Sequence, residues 1–259
     1  MDTSYFAQSF GLAGRTALIT GGARGIGLAI ATALGRAGAR VVINDLNAAT
    51  CAQAVEQLTA QGIAARSAVF DVSQFSAVEQ ARADLDDAGW AVDILVSNAG
   101  NQNRKPLVEM QPEEWQQLMN VHVNGAFNCA RNFLPGMISR GFGRVLLTAS
   151  VASLASAPNI SAYSTAKGGV AALMRSIAVE YGAHGITANA IAPGYVRTEF
   201  TTDLQNRSDF DERLRQSVPC GRWADTDDIA PAALFLVSPA ASFINGQILV
   251  IDGGMRAKL

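Results

Sequence analysis

Seven short apolar runs, rich in β-branched residues, recur along this chain, and none of them alternates with polar residues. They are Thr16–Thr20, Arg40–Asn44, Ala64–Phe70, Ile94–Ser97, Arg144–Thr148, Thr187–Ile191 and Ile248–Ile251. A strand that is apolar on both sides must be covered on both faces, the condition met by a parallel sheet inside an α/β protein. Between the runs, Ile26–Ala37, Ala48–Gln61, Phe75–Asp87, Glu113–Met137, Ala162–Tyr181 and Thr226–Leu236 read as helices, the last of them capped by Asp225. This alternation predicts a doubly wound, Rossmann-like α/β fold, with a parallel seven-stranded sheet and helices on both faces. No Pro-rich or Gly/Ser-rich linker divides the 259 residues, so one domain is expected. The polar stretch Thr198–Ser217 follows neither period and leaves the end of a strand, where it reads as a lid over a site.

Composition narrows the function classes. Charged residues make up 16% of the chain, net charge is −2, and like charges form no block. Nucleic acid and anionic membrane are therefore poor partners. The three cysteines are far apart and the chain has two histidines, so neither a metal site nor a disulfide framework is expected. The first ten residues lack the basic region of a secretory signal, and no run approaches the ~20 apolar residues of a membrane span. A cytoplasmic protein is expected.

The first strand runs into Thr20-Gly21-Gly22-Ala23-Arg24-Gly25-Ile26-Gly27, and a helix follows at once. Glycines allow a tight turn and close approach, so that amide N–H groups and the helix N-terminus face an anion. Asp45 closes the second strand 24 residues after Gly21, near the spacing of a carboxylate that binds a nucleotide ribose. A dinucleotide site is the better reading of the pair, although a plain turn and a capping Asp would use the same residues.

These residues resemble the short-chain dehydrogenase/reductase family, and the likeness continues from about Leu12 to Gly254. Thr20–Gly27 is similar to the family's cofactor loop, and Asp71-Val72 to its adenine-contacting pair. Ser97-Asn98-Ala99-Gly100 resembles its Asn-Asn-Ala-Gly motif, with Ser in the first place. Asn124, Ser150, Tyr163 and Lys167 match its Asn-Ser-Tyr-Lys tetrad. Pro193, Gly194, Val196 and Thr198 resemble the segment that grips the nicotinamide, and Asn245-Gly246-Gln247 with Asp252-Gly253-Gly254 the C-terminal signature. The resemblance implies an enzyme, an NAD(P)-dependent oxidoreductase that interconverts a secondary alcohol and a ketone, commonly as a homotetramer. It also implies cofactor contacts from Gly21, Arg24, Gly25, Ile26, Gly27, Asp45, Leu46, Asp71, Val72, Asn98, Ala99, Gly100, Tyr163 and Lys167.

Tyr163 and Lys167 lie four apart on a helix and share a face. Lowering a phenol by ~3 units takes roughly 4 kcal/mol, and one ammonium about 4 Å away supplies about that much at an effective dielectric near 20. Ser150, at the carboxyl edge of the sheet, is placed to position the substrate oxygen. His122, with no partner in sequence, reads as a packed histidine. For the cofactor, Asp45 favours NAD over NADP by repelling a 2′-phosphate, and Leu46 offers no base. Arg24 either favours NADP or pairs with Asp45.

For the substrate, the segments Asn98–Met110, Ala192–Phe200 and Asp252–Met255 resemble the gluconate 5-dehydrogenase branch of the family, and so a sugar acid or polyol. The 3-oxoacyl-carrier-protein reductases share much of this pattern, and a catalytically silent NAD-binding subunit is the remaining alternative. Arg104 leaves the carboxyl end of a strand beside the expected nicotinamide. It either pairs with a substrate carboxylate or is a solvated loop charge near Glu109.

Overall fold

The computed structural model describes residues 3–258. It begins with α1 (Thr3–Phe10), β1 (Thr16–Thr20), α2 (Gly25–Arg36), β2 (Arg40–Asn44), α3 (Ala48–Thr59) and β3 (Ala65–Ser67). The middle comprises α4 (Phe75–Asp87), β4 (Ile94–Ser97), α5 (Pro112–Met119), α6 (Gly125–Arg140), β5 (Gly143–Thr148) and α7 (Ser161–Tyr181). The last part holds β6 (Ile186–Pro193), α8 (Thr202–Gln205), α9 (Phe210–Ser217), α10 (Thr226–Val237) and β7 (Ile248–Ile251). All seven strands are parallel, in the order β3-β2-β1-β4-β5-β6-β7. The winding reverses between β1 and β4, and in open α/β sheets that crevice at the carboxyl ends of the strands is where ligands bind.

The unbroken apolar runs follow from two cores. Successive strand residues point to opposite faces. Leu18, Val42, Leu95 and Val145 pack under α4, α6 and α7 with Leu85, Phe133, Met137 and Met174. Their chain neighbours Ile19, Val41, Ile43, Ile94 and Val96 pack under α2, α3 and α10 with Ile30, Leu34, Leu58 and Leu236. Neither face of the inner strands meets water, so their polar residues, among them Thr20, Thr148 and Asn189, are buried as well.

Four details depart from the sequence reading. The third strand is three residues rather than seven, because β2 ends at Asn44. The Asn44 side chain replaces the missing neighbour by donating to the carbonyls of Ala68 at 3.0 Å and Phe70 at 2.9 Å. The expected helix Glu113–Met137 is two helices joined by a π-helical turn at Asn120–Asn124. An unexpected helix, α1, precedes the first strand. The polar stretch after β6 is folded: α8 and α9 close over an apolar cluster of Leu204, Phe210, Leu214, Val218 and Trp223. Among the described residues no helix is long and apolar enough to cross a membrane.

Candidate active site

A cavity of about 1440 Å³ opens across the carboxyl ends of the strands. On one side the glycine loop is shaped by close approach of backbone. Gly21 has φ +58°, and a Cβ on Gly27 would lie 2.2 Å from the Gly21 carbonyl oxygen. Gly27 therefore packs α2 against the loop and does not itself line the cavity, whereas Gly21, Arg24, Gly25 and Ile26 do. Asn98 braces the same place: its amide nitrogen Nδ2 donates to the carbonyls of Thr20 (3.2 Å) and Gly21 (3.1 Å), and its Oδ1 accepts from Thr148 Oγ1 (3.2 Å). Asp45, Leu46, Asp71, Val72, Ala99 and Gly100 complete that wall, and Pro193, Gly194, Val196 and Thr198 face it from the end of β6. An elongated anionic dinucleotide fits a wall of this length, lined by glycine amides at a helix start.

On the other side Ser150, Tyr163 and Lys167 converge. Ser150 caps a short turn after β5, its hydroxyl accepting from Ala152 N at 3.1 Å, and it is near enough to the Tyr163 phenol to favour its ionised form. Lys167 is buried on α7 and donates from Nζ to the Thr148 carbonyl at 2.6 Å. Asn124 does not join them. It is exposed on the far face of the π-helical turn, and its side chain donates to Asn120 Oδ1 at 2.8 Å. Asn120, Val121 and His122 line the cavity from this turn, and His122, 3% exposed, lies against Tyr163, the two rings edge-on with centroids 5.6 Å apart. Two residues on a helix differ by about 200° in direction, so only one of the pair can face inward. Leu118, His122 and Ala126 form the inward row, a spacing that could have singled out His122 and not Asn124.

A family profile described as "Enoyl-(Acyl carrier protein) reductase" matches residues 21–256. Gluconate 5-dehydrogenase of Gluconobacter oxydans (strain 621H) is 40% identical over 250 residues, covering 96% of this chain and 98% of that one. The 5-keto-D-gluconate 5-reductase of Escherichia coli (strain K12) is 38% identical over 246 residues, covering 95% and 97%. A crystal structure of a gluconate 5-dehydrogenase from Burkholderia cenocepacia J2315, in complex with NADP and tartrate, superposes with a TM-score of 0.95 at 41% identity, covering 98% and 99%. The chain belongs to the short-chain dehydrogenase/reductase family. It is an NAD(P)-dependent oxidoreductase of the branch that contains the gluconate 5-dehydrogenases.

The electrostatics of this dehydrogenase correct one expectation. Tyr163 was expected to be acidified by Lys167, but its phenol is pushed up by burial and pulled back only by the Ser150 hydroxyl and the Arg104 charge. The Lys167 ammonium lies 5.7 Å from the Tyr163 ring centroid and is spent on Thr148. Burial lowers Lys167 itself to about 7, so near neutral pH only part of the population carries the charge. His122 is lowered to about 3 by burial and by Lys167, and is therefore neutral. Its Nε2–H donates to the Asn101 carbonyl at 2.8 Å, and Nδ1 has no hydrogen-bond partner among the described residues. A Cβ on Gly100 would lie 2.5 Å from the imidazole, so this glycine and His122 fit each other and seat the loop that carries Arg104.

Around the open end of the cavity stand groups that the sequence reading passed over. Glu113, Gln116, Gln117 and Asn120 present a polar rim from α5 and the π-helical turn, and Phe200 closes the opposite side with its ring 6.3 Å from that of Tyr163. Arg104 lines the cavity and donates from Nε to Gln102 Oε1 at 3.0 Å. Among the described residues no carboxylate pairs with it: Glu109 does not, and Lys105 takes Glu114 at 2.6 Å. Arg24 pairs with Glu199 rather than with Asp45, at 2.6 Å. No group of three or more metal-binding side chains occurs among the described residues.

Proposed function

We propose that this dehydrogenase oxidises a secondary alcohol of a sugar acid to the ketone, or reduces the ketone, with NAD(H) preferred over NADP(H). The observation that carries the reading is Arg104: a guanidinium facing the cavity without a protein carboxylate, beside Tyr163, with a polar rim of Glu113, Gln116, Gln117 and Asn120 at the cavity mouth. A substrate with one carboxylate and several hydroxyls satisfies both features. A fatty acyl chain carries no carboxylate to pair with Arg104, which counts against the carrier-protein alternative.

In this reading Ser150 donates to the substrate oxygen and sets it against Tyr163, which takes the hydroxyl proton during oxidation and returns it during reduction. A bound nicotinamide supplies the hydride acceptor or donor, and in its oxidised form a positive charge that favours the phenolate. Lys167 holds the ribose hydroxyls and, when charged, adds to that effect. His122 takes the place first assigned to Asn124, as a neutral group that seats loop 98–104. Gly21, Gly25 and Ile26 offer amides to the pyrophosphate, Asp45 binds the adenosine ribose, and Asp71 and Val72 flank the adenine.

The NAD preference rests on Asp45 and on Leu46, a residue 69% exposed where a base would be needed to hold a 2′-phosphate. The NADP in the Burkholderia relative makes cofactor choice the first quantity to measure. The segment 198–217 serves as the lid, with Phe200 over Tyr163. Half-exposed Phe127 on α6 and 84% exposed Val179 on α7 are suited to contacts within a homotetramer.

Initial rates on C6 sugar acids and on polyols of equal length, with NAD+ and NADP+, test the reading. At least about tenfold higher kcat/KM for an acid is expected, from one charge-assisted contact. Equal use of acids and polyols, or faster turnover of a 3-oxoacyl thioester, would overturn it.

A further inference from the structure

We infer that Glu199 is a specificity-determining residue for the cofactor, because it occupies the arginine that would otherwise hold the 2′-phosphate of NADP(H). The inference rests on the reading above that places the adenosine ribose between the glycine loop and Asp45.

Arg24 is the basic residue of the glycine loop. It stands in extended conformation at the start of α2, φ −157° and ψ 172°, and lines the same wall of the cavity as Asp45. An arginine in this position grips a ribose 2′-phosphate through two parallel N–H bonds. Here its guanidinium is already engaged: Nη1 donates to Glu199 Oε2 at 2.6 Å. Glu199 comes from the far side of the cleft, 175 residues further on, in the residue directly after Thr198. The two side chains are 66% and 72% exposed. Burial does not force them together, and the fold does not depend on the pair.

Two carboxylates thus act on the 2′-position in different ways. Asp45 accepts hydrogen bonds from the ribose and repels a phosphate there. Glu199 removes the counter-charge that could offset this repulsion, and it acts only through Arg24. A 2′-phosphate must displace Glu199 to gain Arg24, whereas a 2′-hydroxyl need not. Because Glu199 adjoins Phe200, which lies over Tyr163, the same contact ties the lid to the glycine loop.

The test compares wild type, Glu199→Gln, Arg24→Ala and the double variant. Dissociation constants for NADH and NADPH are read from nicotinamide fluorescence, and kcat/KM is measured for NAD+ and NADP+. Glu199→Gln is expected to tighten NADPH about fivefold, the upper range for an exposed ion pair, with NADH altered by less than about twofold. In the Arg24→Ala background the same substitution is expected to leave the NADPH:NADH ratio where Arg24→Ala has put it. The gain should shrink in about 0.5 M salt, where exposed charges are screened. Equal changes for both cofactors, or a gain that survives the loss of Arg24, would overturn the inference. A wild type that prefers NADPH would refute the proposed NAD preference alone, since the Arg24-dependent step on removing Glu199 would still be readable.

Discussion

The two walls of the cavity are built on different principles. The cofactor wall is made of backbone: a Cβ added to Gly27 would meet the Gly21 carbonyl oxygen at 2.2 Å, one added to Gly21 would meet Ala99 Cα at 3.0 Å, and Asn98 bonds the Thr20 and Gly21 carbonyls. The substrate wall is made of side-chain ends, among them exposed Arg104, the amides of α5 and Phe200. Backbone contacts leave little freedom and serve every nucleotide cofactor alike. Long side chains on loops can be exchanged without disturbing the sheet, so substrate choice can change while the dinucleotide site stays. Substitutions in the first wall should damage stability and binding together, and those in the second should change specificity or turnover alone.

The largest expected effect separates chemistry from both walls. Tyr163→Phe should reduce turnover by about 10²–10⁴-fold, as for loss of a general acid–base, while the NADH dissociation constant barely moves. Single-turnover kinetics with a fluorescence titration check it, and a parallel loss of NADH affinity would show that Tyr163 belongs to the cofactor wall.

Gly27→Ala tests the rigid wall. The new methyl cannot be accommodated against the Gly21 carbonyl, and overpacking of this kind costs about 3 kcal/mol, or some 6–12 °C in Tm for a chain this long. Thermal melts and cofactor titration should fall together. If affinity drops and Tm does not, the backbone is less constrained than the contact distances imply.

Arg104→Ala tests the adaptable wall. Loss of a charge-assisted contact of ~2–3 kcal/mol corresponds to roughly 30- to 150-fold in kcat/KM for a sugar acid, with Tm unchanged and a polyol little affected. Equal effects on acid and polyol would return Arg104 to the loop surface.

A smaller effect is expected from His122, which lies where the two walls meet. Its folded pKa, about 3, is below the ordinary value near 6.5, so the unfolded chain binds the extra proton first. Stability is then full above pH 6.5 and is lost as pH falls from there through about 3. Near pH 5 the loss is about 2 kcal/mol by linkage. His122→Gln should lower Tm at neutral pH yet flatten its fall between pH 7.5 and 5. An unchanged slope would mean that the imidazole reaches solvent and takes up a proton in the folded state.

The sequence by itself determined the sheet and the rigid wall. A strand buried on both faces has to be apolar at every position, so five of the seven strands could be placed to within a residue of their ends. A loop that needs glycine for close approach has to show it, and Tyr163 and Lys167 share a face through local helical geometry alone. What the tertiary structure decided lay in contacts that no local period encodes. The inward row of Leu118, His122 and Ala126 was legible in the local period, but the contact that sets His122 rather than Asn124 against Tyr163 was not. Arg24 met Glu199 from 175 residues away rather than the nearby Asp45. Lys167 alone does not supply the acidity expected of Tyr163, because once buried it both loses charge and bonds Thr148, effects set by desolvation and by a partner on another element. The polar stretch after β6 folded around Phe210, Leu214 and Trp223: the first two lie one turn apart on α9, and Trp223 reaches them only through the tertiary fold, its ring 5.3 Å from that of Phe210.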